Sequence, residues 1–279
     1  MDFKLRIIKK KNFSSYLNMS IDEFLFLNND DKTIILRFFG WDRPSISIGI
    51  FQKIEELNID FIKEKNIPIV RRPTGGKGVY HSDELTYSII IPSTHSIYNL
   101  NVIDSYKIIS NIFINSLKEL GINAELTKKS GKANGFCFSS QNYYEVSVDG
   151  KKIIGSAQRR KKEGILQQGS IPFTIDYKIV NNIFKLSDNS GFISLKEIKK
   201  DLEIEELEDI LIKNFIEYFD INSEIKDLSE EELANANNLS SNKYSLDSWN
   251  LYGIYWFLKW ILISFFFSIL NFWKFSKIF

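Results

Sequence analysis

Val148-Asp149-Gly150-Lys151 separates two β-rich runs, Tyr144 to Val148 and Lys152 to Gly155, and its reading decides the fold class. Asp-Gly supplies two residues tolerant of positive φ, the requirement of a tight two-residue hairpin, so the flanking strands pair antiparallel. Moving outward, Gly164 to Phe173 and Leu85 to Ile91 read as further strands. Between them Val102, Tyr106, Ile109, Phe113, Leu117 and Leu120 recur on one helical stripe that Gly121 closes. Towards the N-terminus, residues 3–10 and 33–39 have strand character, Tyr16 to Phe26 has helical spacing, and Asn58 to Glu64 forms a short helix before strand-like Ile69-Val70-Arg71-Arg72. Residues 175–235 are charge-rich and read as solvated helices. Helices and strands mix without strict βαβ alternation. The expectation is an α+β domain whose mixed, largely antiparallel sheet carries flanking helices.

The chain has 279 residues, enough for a sizeable core. Its 36 basic and 35 acidic side chains nearly cancel, which removes the global charge argument for nucleic acid or an anionic membrane. A single cysteine forms no internal disulfide, and two histidines make no cluster at zinc-ligand spacing, so no metal is expected. Met1 to Arg6 includes an early acid and no long apolar run follows, unlike a signal peptide. A cytoplasmic protein is expected.

Three blocks could carry chemistry. In Arg71-Arg72-Pro73-Thr74-Gly75-Gly76-Lys77-Gly78-Val79-Tyr80-His81, glycines let backbone approach a ligand and adjoining amides and cations suit a small anionic head group, a phosphate or carboxylate. The spacing matches neither phosphate-loop template, and a plain hairpin turn with Arg71 and Arg72 as surface charges explains it equally well. Cys137, between Phe136 and Phe138, is by default a small buried hydrophobe. A lysine on the nearby hairpin changes that balance, because an ammonium close to a thiol favours the thiolate that attacks a thioester. Lys152 is the candidate in Lys151-Lys152-Ile153-Ile154-Gly155-Ser156-Ala157-Gln158, while Lys151 alternates to the solvent face. His81 invites a Cys-His dyad but is read as pocket lining. Arg159-Arg160-Lys161-Lys162 reads as an exposed turn that could guide an acidic partner.

In this order the three blocks resemble the lipoate and biotin protein ligase superfamily. The nearest branch is the octanoyltransferases that move octanoyl groups from acyl carrier protein to the glycine cleavage H protein. The likeness begins at Asn18-Met19-Ser20-Ile21-Asp22-Glu23 and includes Arg37 to Trp41, Ser45 to Gln52, Arg71 to His81, Glu84 to Ser88, Gly150 to Gln158 and Leu166-Gln167-Gln168-Gly169-Ser170-Ile171. It runs on to about Trp249. The resemblance implies a thioester on Cys137 and a pKa-lowering role for Lys152, which follows it by fifteen residues. It also implies an acyl pocket formed by Arg72, Thr74, Gly75, Gly76, His81, Gly155, Ser156 and Ala157. Lys77 stands where the family pattern leads one to expect arginine, Gln168 where histidine is expected, and Ser139-Ser140-Gln141 where Asp-Ala-Pro is expected.

The implied reaction is ping-pong: octanoyl-acyl carrier protein acylates Cys137, and a lysine of an H-protein-like lipoyl domain takes the group. Backbone amides near Gly75-Gly76 or at Cys137 would receive the oxyanion. No cofactor is needed, since a thioester is already activated. The alternatives are an ATP-dependent lipoate-protein ligase and a non-catalytic acyl-carrier-binding protein. A catalytic domain over residues 1–250 is expected, followed by a distinct tail. From Leu251 to Phe279 there is no acid, three of the five tryptophans occur, and Ile254 to Leu270 is apolar but for Lys259, Ser264 and Ser268. Such a run suits weak membrane contact or a shifted reading frame in an AT-rich gene.

Overall fold

The computed structural model describes residues 2–127, 145–187 and 191–253; Cys137 and the tail after Gly253 lie outside them. The chain opens with strand β1 (Lys4–Phe13), helix α1 (Ser15–Asn28) and strand β2 (Thr33–Trp41). Ser14 caps α1, its hydroxyl accepting from the Leu17 amide at 3.2 Å. The helical crossover returns β2 parallel to β1, with Leu5 opposite Ile34 and Ile7 opposite Leu36. Further strands are β3 (Ser45–Ile48), β4 (Ile69–Arg71), β5 (Val79–His81), β6 (Glu84–Pro92), β7 (Glu125–Leu126), β8 (Val146–Val148), β9 (Lys151–Lys152), β10 (Gly155–Lys161), β11 (Gly164–Pro172) and β12 (Asn222–Ile225). The main sheet has the order β10-β11-β6-β2-β1-β12. Its β10, β11, β6 and β2 pair antiparallel, and β1 is parallel to both β2 and β12.

The Asp-Gly hairpin forms as expected: Asp149 and Gly150 take φ of 50° and 74°, and β8 pairs antiparallel with β9. Its second strand ends at Lys152, however, and Gly155 already starts β10 of the main sheet. Two sequence expectations are corrected. Arg159 to Lys161 belong to β10 and only Lys162-Glu163 turns, because β11 offers a full antiparallel register from Gly155↔Ser170 to Lys161↔Gly164. Within the region read as helical, Asn222–Ile225 is a strand whose partner is the edge of β1.

One face of the sheet is covered by α3 (Val102–Glu119) and α6 (Ile204–Phe219). Phe113 sits 4.4 Å, ring to ring, from Tyr87 and 5.5 Å from Phe215, joining both helices to the sheet. Fully burying each such side chain contributes about 2 kcal/mol. On the other face α1 and α7 (Glu230–Leu239) cover Ile8, Ile35 and Ile90. A three-stranded sheet, β4-β3-β5, packs under α2 (Ile59–Glu64) and α4 (Tyr177–Phe184), which the one-turn α5 (Leu195–Ile198) follows in the chain. It brings Arg72 and the glycine turn beside the start of β10. A π-helical turn, Ser240–Tyr244, and the short α8 (Asp247–Asn250) close the described chain.

Candidate functional site

A cleft opens where the two sheets meet, lined from β2, β3, β5 and β6 on one side and from β10 and β11 on the other. Met19, Phe39, Trp41 and Val79 supply an apolar wall, and Ser47, Arg72, His81, Ser156 and Gln168 add polar groups. Of the residues expected from sequence, Arg72, His81, Gly155, Ser156 and Ala157 line it. Thr74, Gly75 and Gly76 build the adjoining loop. Gly76 has φ +82°, and a Cβ there would lie 2.9 Å from Arg72 Nη2, so the turn must be glycine. Gly49 passes even closer: a Cβ on it would meet the Gly76 carbonyl at 1.9 Å.

Neither arginine is a surface charge, contrary to the plain-turn reading. Arg72 Nη2 donates to the carbonyls of Gly75 at 2.5 Å and Lys77 at 2.9 Å, while Nη1 donates to Ser47 O and Oγ at 3.2 Å. The guanidinium thus shapes the glycine turn. Arg71 is buried among six carbonyl acceptors. Nη1 donates to Gly49, Ile50 and Gln52, Nη2 to Asn250 and Leu251, and Nε to Trp249.

The turn is also tied across the cleft. Thr74 Oγ1 donates to Gln168 Oε1 at 2.8 Å, and Gln168 Nε2 donates to Asp22 Oδ2 at 2.7 Å. Asp22 pairs with Arg37 at 2.6 Å, both fully buried. Gln167 Nε2 donates to Tyr87 Oη, which directs the phenol proton to Ser156 Oγ at 2.9 Å. Ser156 can then donate its own proton into the cleft, to a carbonyl oxygen for instance. Burial pushes the Tyr87 hydroxyl up to about 12 against the opposing bonds from Ser156 and Gln167, so it remains a neutral phenol.

Lys152 does not line the cleft. It lies three residues before Gly155, fully buried, with Nζ 2.6 Å from Glu145 Oε1. Its neighbour Lys151 is exposed, as strand alternation predicts.

The model of the lipoyl protein ligase A/B catalytic domain matches residues 14–216. Octanoyltransferase LipM of Bacillus subtilis is 34% identical over 269 residues, which is 88% of this chain and 97% of that relative. The chain belongs to this family. It falls in the octanoyltransferase branch of lipoate biosynthesis and is an acyltransferase. Among solved structures it is similar to lipoate-protein ligase A bound with ATP, at 25% identity and a TM-score of 0.77 over 90% of this chain and 99% of that one. It is likewise similar to a bipartite lipoate protein ligase described with its E2 lipoyl domain from Thermoplasma acidophilum, at 25% identity and 0.72 over 90% and 96%.

In this member of the octanoyltransferase branch, sequence reading missed the side chains that fix His81. Its ring stacks on Trp41 at 3.8 Å and 15°, with Nδ1 2.7 Å from Glu84 Oε1 and Nε2 2.7 Å from Ser47 Oγ. Glu84 also receives Trp41 Nε1 at 3.1 Å, Ser170 Oγ at 2.8 Å and the Thr86 hydroxyl. Burial would raise the Glu84 carboxyl, but the His81 ring and the two hydroxyls outweigh it and hold it below its ordinary value. An acid three residues after a histidine, with threonine two further on, was the available signal. It is too common a pattern to stand out without the fold.

Proposed function

We propose that the chain takes octanoyl from octanoyl-acyl carrier protein as a thioester on Cys137 and passes it to a lysine of a glycine cleavage H protein-like lipoyl domain in the cytoplasm. The observation that carries this reading is the identity to an octanoyltransferase along 97% of its length, together with a lone cysteine fifteen residues before a buried lysine. The apolar wall of the cleft suits an acyl chain, and the Ser156 hydroxyl suits its carbonyl. Lys152 would favour the thiolate of Cys137, and loss of a thiol leaving group then drives the second step towards the amide.

Mixing the protein with octanoyl carrier protein and no nucleotide should add one octanoyl group by intact mass, removable with hydroxylamine and absent in Cys137→Ala. An adduct of unchanged yield in that variant refutes the thioester. The ATP-dependent ligase reading draws on the likeness to lipoate-protein ligase A. Strict dependence of transfer on ATP with free octanoate would favour it.

A further inference from the structure

Two buried side chains on this cleft and a third behind them stand in an order that the transfer reaction through Cys137 does not use. Ser47 Oγ, His81 Nε2 and Nδ1, and Glu84 Oε1 form a line of two 2.7 Å hydrogen bonds. A carboxylate can only accept, so Glu84 takes the Nδ1 proton, and in the neutral ring Nε2 is then the accepting nitrogen facing Ser47. Arg72 Nη1 donates to the same Ser47 oxygen at 3.2 Å, and against the neutral ring the hydroxyl proton points at Nε2. The Trp41 stack fixes the plane of the ring, and Trp41, Thr86 and Ser170 hold the carboxylate. Histidine so placed is a satisfied core residue in many proteins. Here Ser47 and His81 both face the cleft, and a guanidinium lies beside the serine oxygen. Those two facts give the arrangement the geometry of an activated serine nucleophile.

We propose that Ser47, His81 and Glu84 form a second acyl-handling centre that hydrolyses a medium-chain acyl thioester bound in the cleft. The proposal rests on the cleft accepting such a thioester but not on Cys137. Ser47 Oγ attacks the thioester carbonyl while its proton passes to His81 Nε2. The carbon–sulfur bond breaks, and His81 returns the proton to the departing thiolate. Water then attacks the Ser47 ester, giving one proton to His81, and collapse of the second tetrahedral adduct returns it to Ser47 Oγ. The sum is thioester plus water giving carboxylic acid plus thiol, with no oxidant, metal or nucleotide. Glu84 acts as a positioning residue that holds the tautomer, Arg72 fixes the position of the Ser47 hydroxyl, and the Ser156 hydroxyl on the same cleft is the donor for the carbonyl oxyanion.

The test uses the full chain carrying Cys137→Ala, with the octanoyl thioester of N-acetylcysteamine as probe and thiol release read by a chromogenic disulfide. Release about a hundredfold above buffer is expected, falling to the buffer rate when Ser47→Ala is added. Release at the buffer rate in Cys137→Ala, or release that survives Ser47→Ala, overturns the proposal. Should the double variant fail to fold, an octyl fluorophosphonate applied to Cys137→Ala decides the matter by peptide mapping. An adduct on Ser47 supports the centre, and its absence overturns it. Carrier-dependent transfer that persists in Cys137→Ala would sink the cysteine thioester while leaving the serine centre standing.

Discussion

Lys152 and Glu145 form an ion pair almost completely removed from water, and separating them tests whether the lysine is an anchor as well as a chemical group. At 2.6 Å and an effective dielectric of about 20, their attraction is roughly 6 kcal/mol. Taking two ions out of water costs several kcal/mol each, so the intact pair contributes little net stability. Removing one partner is different, because the other charge stays buried and loses its counter-ion at 2.6 Å. Lys152→Met should therefore cost about 3–5 kcal/mol in urea unfolding, a fall of about 10 °C in Tm for a chain of this size. Adding Glu145→Leu should recover most of that loss, since an apolar pair of similar volume no longer buries a carboxylate that has lost this ion pair. Acyl transfer should stay absent in both variants if the ammonium acts on the thiol. A loss below about 1 kcal/mol in Lys152→Met, or a double variant no more stable than the single, would refute the reasoning.

Three further outcomes follow from the same geometry. Arg71→Lys keeps the charge but cannot reach six carbonyls as a fork, and should lower stability by about 2–4 kcal/mol in the same urea assay. Because the Glu84 carboxyl is held below its ordinary value when folded, it adds stability above the usual carboxylate range that is lost as pH falls through its lowered value; Glu84→Gln should flatten that acid limb in a pH series of thermal melts. A chain ending at Gly253 keeps the Leu251 carbonyl that Arg71 uses and should remain soluble and transfer octanoyl, whereas failure of this shortened chain to fold would place residues 254–279 within the catalytic domain.

What the sequence disclosed was local. Asp149-Gly150 specifies its turn by φ alone, and Ile109, Phe113, Leu117 and the C-cap Leu120 of the helical stripe are buried on one face of α3. The alternation that turns Lys152 inward and Lys151 outward is a period-two property that a single strand carries. The inward arginines were not legible, because their acceptors are backbone carbonyls, which leave no side-chain signature. Arg71 reaches Trp249 to Leu251, about 180 residues further along the chain. Asn222-Ser223-Glu224-Ile225 is exposed throughout and has no apolar alternation, so only the free edge of β1 makes it a strand. Arg159 and Arg160 looked like turn residues because basic runs usually are. In the fold Arg159 donates to the Pro73 carbonyl, beside the glycine turn, and Arg160 to those of Tyr98 and Leu100. The pocket motif was readable as a set of residues, while the Ser47-His81-Glu84 alignment depends on β3 lying beside β5 with Ser45 opposite His81.

The Arg71 clamp also sets an order on synthesis. Its first three acceptors, Gly49, Ile50 and Gln52, emerge from the ribosome before it, and Trp249, Asn250 and Leu251 emerge about 180 residues after it. Until then a guanidinium destined for burial has half its carbonyls and stays bound to water. The loop at 49–52 then holds the guanidinium from one side only. A translation product that stops before Trp249 should on this account be cut by protease at that loop sooner than the finished chain is.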